Sequence, residues 1–179
     1  NIDIKSLRHE GKPWISLLIG MPRPQMAKRI LEFGSAIGVS RFDFVYTSLT
    51  EKSYGASKIY QNRDNYTKYM TRGISQSGIY WDLPEIKVSK SIDWNNCHMI
   101  SQRFILEKGD FPSFLEEDIC FQDPILLAIG PERGWTDKER EKFKEYGFRN
   151  INISASILKV ENAVLAAISQ LELKKIQKK

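Results

Sequence analysis

Cysteine is scarce in this chain. Cys97 and Cys120 are the only two in 179 residues, and neither belongs to a CxxC pair or a Cys/His cluster. A disulfide framework and a thiolate metal site are therefore excluded, and a reducing cytoplasm is the expected setting. Histidine is equally rare: His9 and His98 both lie far from the glycine-bearing turns. A Ser/His/Asp arrangement would need the fold to carry one of them across the molecule. Nowhere do 18 or so apolar residues run together, which leaves no candidate membrane-spanning helix and points away from a membrane partner. Residues Asn1 to Gly11 lack the apolar core of a secretory signal. No GxGxxG follows a strand-like run and no GxxxxGK[ST] occurs, so dinucleotide and P-loop sites fail. Nor does one sign of charge dominate. Lys and Arg number 27 against 22 Asp and Glu, and four of the lysines (Lys174, Lys175, Lys178, Lys179) fall in the last six residues. The body of the chain is nearly neutral, and any surface for a polyanion must be local.

What the chain has is a globular composition, 41% hydrophobic and 27% charged, with length enough for one large domain. From Trp14 onward short apolar runs alternate with helical patterns, the signature of an α/β fold: a mostly parallel sheet with helices on both faces. Trp14–Gly20 and Pro124–Ile129 are continuous apolar runs of strand length, as expected for strands buried on both faces. Pro24 suits the first turn of a helix carrying Met26, Ile30, Leu31 and Phe33. Arg41–Thr47 predicts a second strand, and a long polar stretch, Ser48–Asp64, precedes a helix from about Asn65 to Ser77. Further strands are predicted near Glu85–Val88, Arg103–Leu106 and Phe148–Ile153. Thr136-Asp137-Lys138-Glu139 spells a capping box, and Gly147 closes that helix. Val160, Ala163, Val164, Ala167, Ile168 and Leu171 mark one face of a final amphipathic helix, whose terminal lysines read as a solvated end.

Two stretches can carry chemistry. The turn Ile129-Gly130-Pro131-Glu132-Arg133-Gly134-Trp135 lies at the carboxyl end of a buried strand, where open α/β sheets place ligands. Its glycines permit close backbone approach to a flat heterocycle, although an ordinary strand-to-helix turn accounts for the same spacing. The second, Ile153 to Ala163, joins the last strand to the last helix through small residues and ends near Glu161. A carboxylate there also has the plain role of complementing the helix dipole.

These two stretches, with Gly147-Phe148 between them, resemble the RsmE family of ribosomal RNA uridine methyltransferases, whose hallmarks run IGPEGG(F/W)(S/T), GF and LGxRILRxETA. Pro22-Arg23-Pro24-Gln25-Met26, Gly38-Val39, Glu51-Lys52-Ser53-Tyr54 and Ser75-Gln76-Ser77-Gly78 extend the likeness, which covers about residues 14–175. The resemblance implies a SPOUT fold with a C-terminal trefoil knot, a homodimer with its active site near the subunit interface, and S-adenosylmethionine as cofactor. Residues 14–179 then form the methyltransferase domain. Residues 1–13 are a stub or linker, where the family normally carries a PUA-like RNA-gripping module. Carried over by position, the cofactor contacts are Leu106, Glu107, Ile129, Gly130, Pro131, Gly134, Ile153, Ser154, Ala155, Ile157, Leu158 and Asn162. Arg133, Lys159 and Glu161 stand in the catalytic positions, and Arg23, Lys52 and Tyr54 are candidate RNA contacts; no metal is implied. The implied reaction is methylation of N3 of a uridine in small-subunit ribosomal RNA. Alternatives are a catalytically weak RNA- or ribosome-binding protein, or a SPOUT enzyme acting at another RNA position. Arg133 and Ser154 replace family glycines, while Ser156, Lys159 and Asn162 replace Arg, Arg and Thr. The glycine replacements require that neither position need a left-handed backbone.

Overall fold

The computed structural model describes residues 11–178, so most of the expected 1–13 stub lies outside the described residues. Six parallel strands form one sheet: β1 (Ile15–Gly20), β2 (Val39–Val45), β3 (Glu85–Ser89), β4 (Gln102–Leu106), β5 (Ile125–Ile129) and β6 (Arg149–Ile151). Their spatial order is β3-β2-β1-β5-β4-β6. The first three strands build outward from β1, then the chain crosses to β4, fills the gap with β5 and passes over β4 to reach β6. All carboxyl ends therefore share one edge, and ligands of such sheets sit at that edge.

β1 and β5 lie at the centre, paired in register from Ile15↔Ile125 to Ile19↔Ile129. Every residue of β5 is buried, as its unbroken apolar run requires of a strand covered twice. On one face α1 (Pro24–Ala36), α2 (Lys58–Gln61), α3 (Arg63–Ser77) and α6 (Val160–Gln177) close the larger core around Leu17, Ile19, Phe42, Phe44 and Leu127. On the other, α4 (Trp94–His98) and α5 (Asp137–Glu145) cover Leu18, Ala128 and Ile105 with an aromatic group of Trp94, Trp135, Phe143 and Phe148. Helices thus cover both faces, as anticipated.

Pro24 does open α1, and Gly147, at φ +72°, ends α5. The strand predicted over 41–47 lies two residues earlier, and that predicted over 148–153 shortens to 149–151. The polar stretch 48–64 contains a 3-10 turn (Tyr54–Ala56) and α2, whose Ile59 and Tyr60 are buried. Asn62 caps α3 by accepting from the Asp64 amide at 2.9 Å, which starts that helix earlier than its apolar pattern suggests.

Of the four C-terminal lysines, Lys179 lies outside the described residues, and Lys174 departs from the solvated end expected of them. Lys174 is buried, and its ammonium donates to the carbonyls of Phe114 (2.7 Å), Leu115 (3.1 Å) and Glu117. Lys175 lies 4.4 Å over the Trp14 ring, and Lys178 donates to Asp118 and to the Ile119 carbonyl. The Lys174 and Lys178 contacts fasten the end of α6 to the connection between β4 and β5, while Lys175 meets the segment that enters β1.

Candidate active site

An open cleft of about 410 Å³ runs along the carboxyl ends of β4, β5 and β6. One wall is the turn after β5. Gly134 donates to the Pro131 carbonyl at 2.8 Å and sits at φ +72°, a conformation only glycine adopts without strain. Gly130 is needed for closeness instead: an added Cβ would stand 3.0 Å from the Gly134 Cα and 3.3 Å from the Trp135 indole nitrogen. Behind the turn Gly20, the last residue of β1, leaves room for Pro131, whose Cδ would be 2.4 Å from a Cβ there. Trp135 is 2% exposed, and its indole N–H has no hydrogen-bond acceptor among the described residues.

The capping box then fixes the start of α5. The Glu139 amide donates to Thr136 Oγ1 at 3.3 Å, and Glu139 Oε2 accepts from the Thr136 amide and hydroxyl, each at 2.8 Å. Its Oε1 accepts from the Ser48 amide at 2.9 Å, tying the loop after β2 to the turn after β5. Burial pushes the Glu139 carboxyl up, but the Ser48 and Thr136 donors outweigh it and the net displacement is downward.

The opposite wall joins β6 to α6. The Asn152 amide donates to Pro112 O (3.0 Å) and its side chain to Gly109 O (2.8 Å), while Gln170 donates to Ile153 O at 2.9 Å. The Ser154 hydroxyl accepts from the Ser156 amide at 3.0 Å, a local turn that a glycine at 154 cannot make. Among the described residues no residue other than glycine has a positive φ, so neither Arg133 nor Ser154 forces its backbone into a strained region. At the floor Glu107 accepts from Arg140 Nε at 3.0 Å. Burial raises the Glu107 carboxyl against the pull of Arg140.

Of the residues singled out from the sequence, Leu106, Glu107, Ile129, Gly130, Pro131, Arg133, Gly134, Ile153, Ser154, Ile157 and Leu158 line this cleft. Ala155, Lys159 and Asn162 lie outside its lining, on the exposed side of the same loop and helix. Glu161 is also outside: it is 6% exposed, 3.9 Å from Arg29 Nη1, and its second oxygen has no hydrogen-bond partner among the described residues. Arg23 and Tyr54 meet, Arg23 Nε donating to the Tyr54 hydroxyl at 3.1 Å, while Lys52 is exposed in the loop before Tyr54. Beyond the two candidate stretches, which already contained Glu132, Trp135, Ser156, Val160 and Ala163, the cleft adds Lys108, Arg140 and Asn152. Lys108 follows Leu106-Glu107 directly and was within reach of sequence reasoning. Arg140 was not, because only the fold brings it to Glu107, 33 residues away.

The model of the RNA methyltransferase domain matches residues 9–172. The chain belongs to that family. Over 155 residues it is 37% identical to ribosomal RNA small subunit methyltransferase E 1 of Borreliella burgdorferi, covering 84% of this chain and 63% of that protein. Over 160 residues it is 35% identical to ribosomal RNA small subunit methyltransferase E of Treponema pallidum, covering 86% and 59%. The chain thus spans about three fifths of the length of these curated relatives. A crystal structure of ribosomal RNA small subunit methyltransferase E from Neisseria gonorrhoeae, bound to S-adenosyl methionine, superposes with a TM-score of 0.77 at 20% identity, over 92% of this chain and 67% of that one. The fold of this RNA methyltransferase domain is the SPOUT fold.

Proposed function

We propose that this domain is an S-adenosylmethionine-dependent RNA methyltransferase that modifies N3 of a uridine in small-subunit ribosomal RNA in the cytoplasm. The observation that carries the proposal is the cleft itself. A glycine-tight backbone turn faces a small-residue loop across about 410 Å³, within the range of small-molecule and cofactor sites. The residues present fit the cofactor. Leu106, Ile129, Ile153, Ile157 and Leu158 offer apolar walls for a flat base, and Glu107 offers a half-buried carboxylate for hydroxyl groups. When bound, S-adenosylmethionine supplies an electrophilic methyl group on a sulfonium.

The protein's task is then to position a ring nitrogen that keeps its proton at neutral pH, and to stabilise the anion as that proton leaves. Holding two reactants in line lowers such a barrier by about 7–11 kcal/mol in favourable cases. Arg133 lines the cleft, is exposed, and has no ion pair among the described residues; Lys159, at the start of α6, is likewise exposed and unpaired. Both are free to neutralise RNA phosphate and stabilise the uridine anion. The negative φ of Arg133 and Ser154 supports retained activity over a dead scaffold, since these departures leave the walls unstrained.

The exposed apolar side chains of α6 (Leu165, Leu173 and Ile176) support a homodimer, and the family resemblance supports a knotted C-terminal segment. Calorimetric titration with S-adenosylhomocysteine tests the cofactor site: micromolar binding is expected, and no binding overturns it. Mass-spectrometric mapping of small-subunit ribosomal RNA from cells with and without the gene tests the product: loss of a single N3-methyluridine is expected. Loss of another modified nucleoside would favour a different SPOUT reaction.

A further inference from the structure

Glu132 protrudes from the turn after β5 yet is bonded away from the cleft it helps to line. Its Oε1 accepts from the backbone amide of Arg23 at 3.0 Å, across 109 residues of sequence, and stands 3.8 Å from Arg23 Nε. Arg23 Nε donates in turn to the Tyr54 hydroxyl at 3.1 Å. Both neighbours raise the guanidinium's pKa, the Tyr54 hydrogen bond most. With Nε committed, the two terminal amino groups of Arg23 make no hydrogen bond among the described residues, and its side chain is 67% exposed. The segments around this junction are fixed from below. Tyr60 donates to the Pro22 carbonyl at 2.5 Å, Pro131 packs where a Gly20 side chain would stand, and Gly55 lies under the Tyr46 hydroxyl, 1.2 Å from where a Cβ would be.

We propose that Glu132 is a positioning residue: together with Tyr54 it aims the free fork of Arg23 at a phosphate of the RNA substrate, and so joins the cofactor turn to the RNA-contacting surface. This inference rests on the reading of the domain as an RNA methyltransferase. A carboxylate beside a polyanion site is otherwise unfavourable, and its acceptance of the Arg23 amide gives it a reason to be there. An arginine already held in one geometry loses less freedom on binding than a free one, and its planar fork matches two phosphate oxygens. A ligand that settles the Pro131–Gly134 backbone also settles Glu132, and with it Arg23. Cofactor occupancy and RNA affinity are therefore coupled, and by linkage the coupling is reciprocal.

The test uses the intact chain, protein-free small-subunit ribosomal RNA carrying a fluorescent 3′ label, and S-adenosylhomocysteine. Arg23→Ala is expected to weaken RNA binding about fivefold to tenfold and to lower the salt slope by roughly 1. Glu132→Ala should weaken it by a similar factor with the same change of slope, although it removes a negative charge. Glu132→Gln should fall between, because its amide oxygen still accepts from the Arg23 amide. The double variant should bind no more weakly than Arg23→Ala alone. Tyr54→Phe, which removes one hydroxyl and spares the fold, should reproduce part of the loss. S-adenosylhomocysteine should tighten RNA binding to the unaltered chain and do so less for Glu132→Ala. Tighter RNA binding by Glu132→Ala would overturn the proposal, since it would show a plain surface charge. So would losses that multiply in the double variant, or an abolished turnover number with unchanged RNA affinity, which would make Glu132 a base. If the unaltered chain binds both ligands and Glu132→Ala matches it throughout, only this inference falls. If the unaltered chain binds neither, the functional reading falls with it.

Discussion

The two walls of the cleft are built by opposite means. The turn after β5 is held by backbone closeness: Gly20 admits Pro131, Gly130 approaches Gly134, Gly134 adopts a left-handed φ, and Trp135 is driven into the aromatic core beneath. The loop from β6 to α6 is held by polar side chains. Asn152 grips Gly109 and Pro112, Gln170 grips Ile153, and Ser154 grips its own neighbour. Behind it Lys174 holds the carbonyls of 114, 115 and 117, steadying the segment that Asn152 leans on. The first wall is thus held mainly by close packing, where a single methyl group is felt. The second carries Ile157 at 84% exposure and adapts more readily to what it contacts.

Gly130→Val should break the first wall most severely. Its branched side chain would collide with the Gly134 backbone, and S-adenosylhomocysteine affinity should fall by more than 100-fold, about 2.7 kcal/mol. The circular-dichroism melt should stay cooperative, because the sheet is untouched; unchanged affinity would mean that the ligand does not use this turn.

Lys174→Met tests the support of the second wall. It strips a cation from three carbonyls while keeping the apolar stem, and should lower stability by about 2–3 kcal/mol in urea titration. Proteolysis within 107–124 should then outpace cleavage elsewhere.

Glu139→Gln weakens the capping box and the link to Ser48, at a cost of about 1 kcal/mol at neutral pH. Because the net displacement of this carboxyl is downward in the folded state, its stabilising contribution is complete above the ordinary carboxylate range. It is lost as pH falls from about 4.5 through the lowered folded value. The urea midpoints of the unaltered chain and the variant should therefore converge in acid; a gap that widened there would reverse the sign.

The smallest effect is expected from Ile157→Ser. With the side chain 84% exposed, stability should change by no more than about 0.5 kcal/mol. S-adenosylhomocysteine binding should still weaken by roughly threefold to tenfold if this apolar group covers the ligand. A large stability loss with unchanged binding would turn the comparison of the two walls around.

Much of the fold was legible where a local rule has one physical outcome. Ile125–Ile129 is apolar at every position, and only a strand covered on both faces tolerates that. Thr136 and Glu139 stand three apart, and both halves of their capping box form. Helix α4 escaped notice because its five residues have no period to read; its start is set by the Asp93 side chain accepting from the Asn96 amide at 3.2 Å. The site was legible in its backbone turns and less so in its charges. Arg140 reaches Glu107, and Glu132 reaches Arg23, across 33 and 109 residues, and no spacing rule spans such distances. Lys174 misled for a related reason: a lysine near a helix end is ordinarily solvated, and only the fold of 113–119 supplies the carbonyls that bury it.

By itself the sequence determined the alternation of strands and helices, the caps, and the glycines that tighten the turn after β5, because each depends on residues within a few positions of one another. The tertiary structure alone decided which charges are spent and which stay free. Pairing Glu132 with Arg23 and Arg140 with Glu107, while leaving Arg133 open to solvent, depends on where distant segments come to rest, and electrostatic attraction acts through space rather than along the chain.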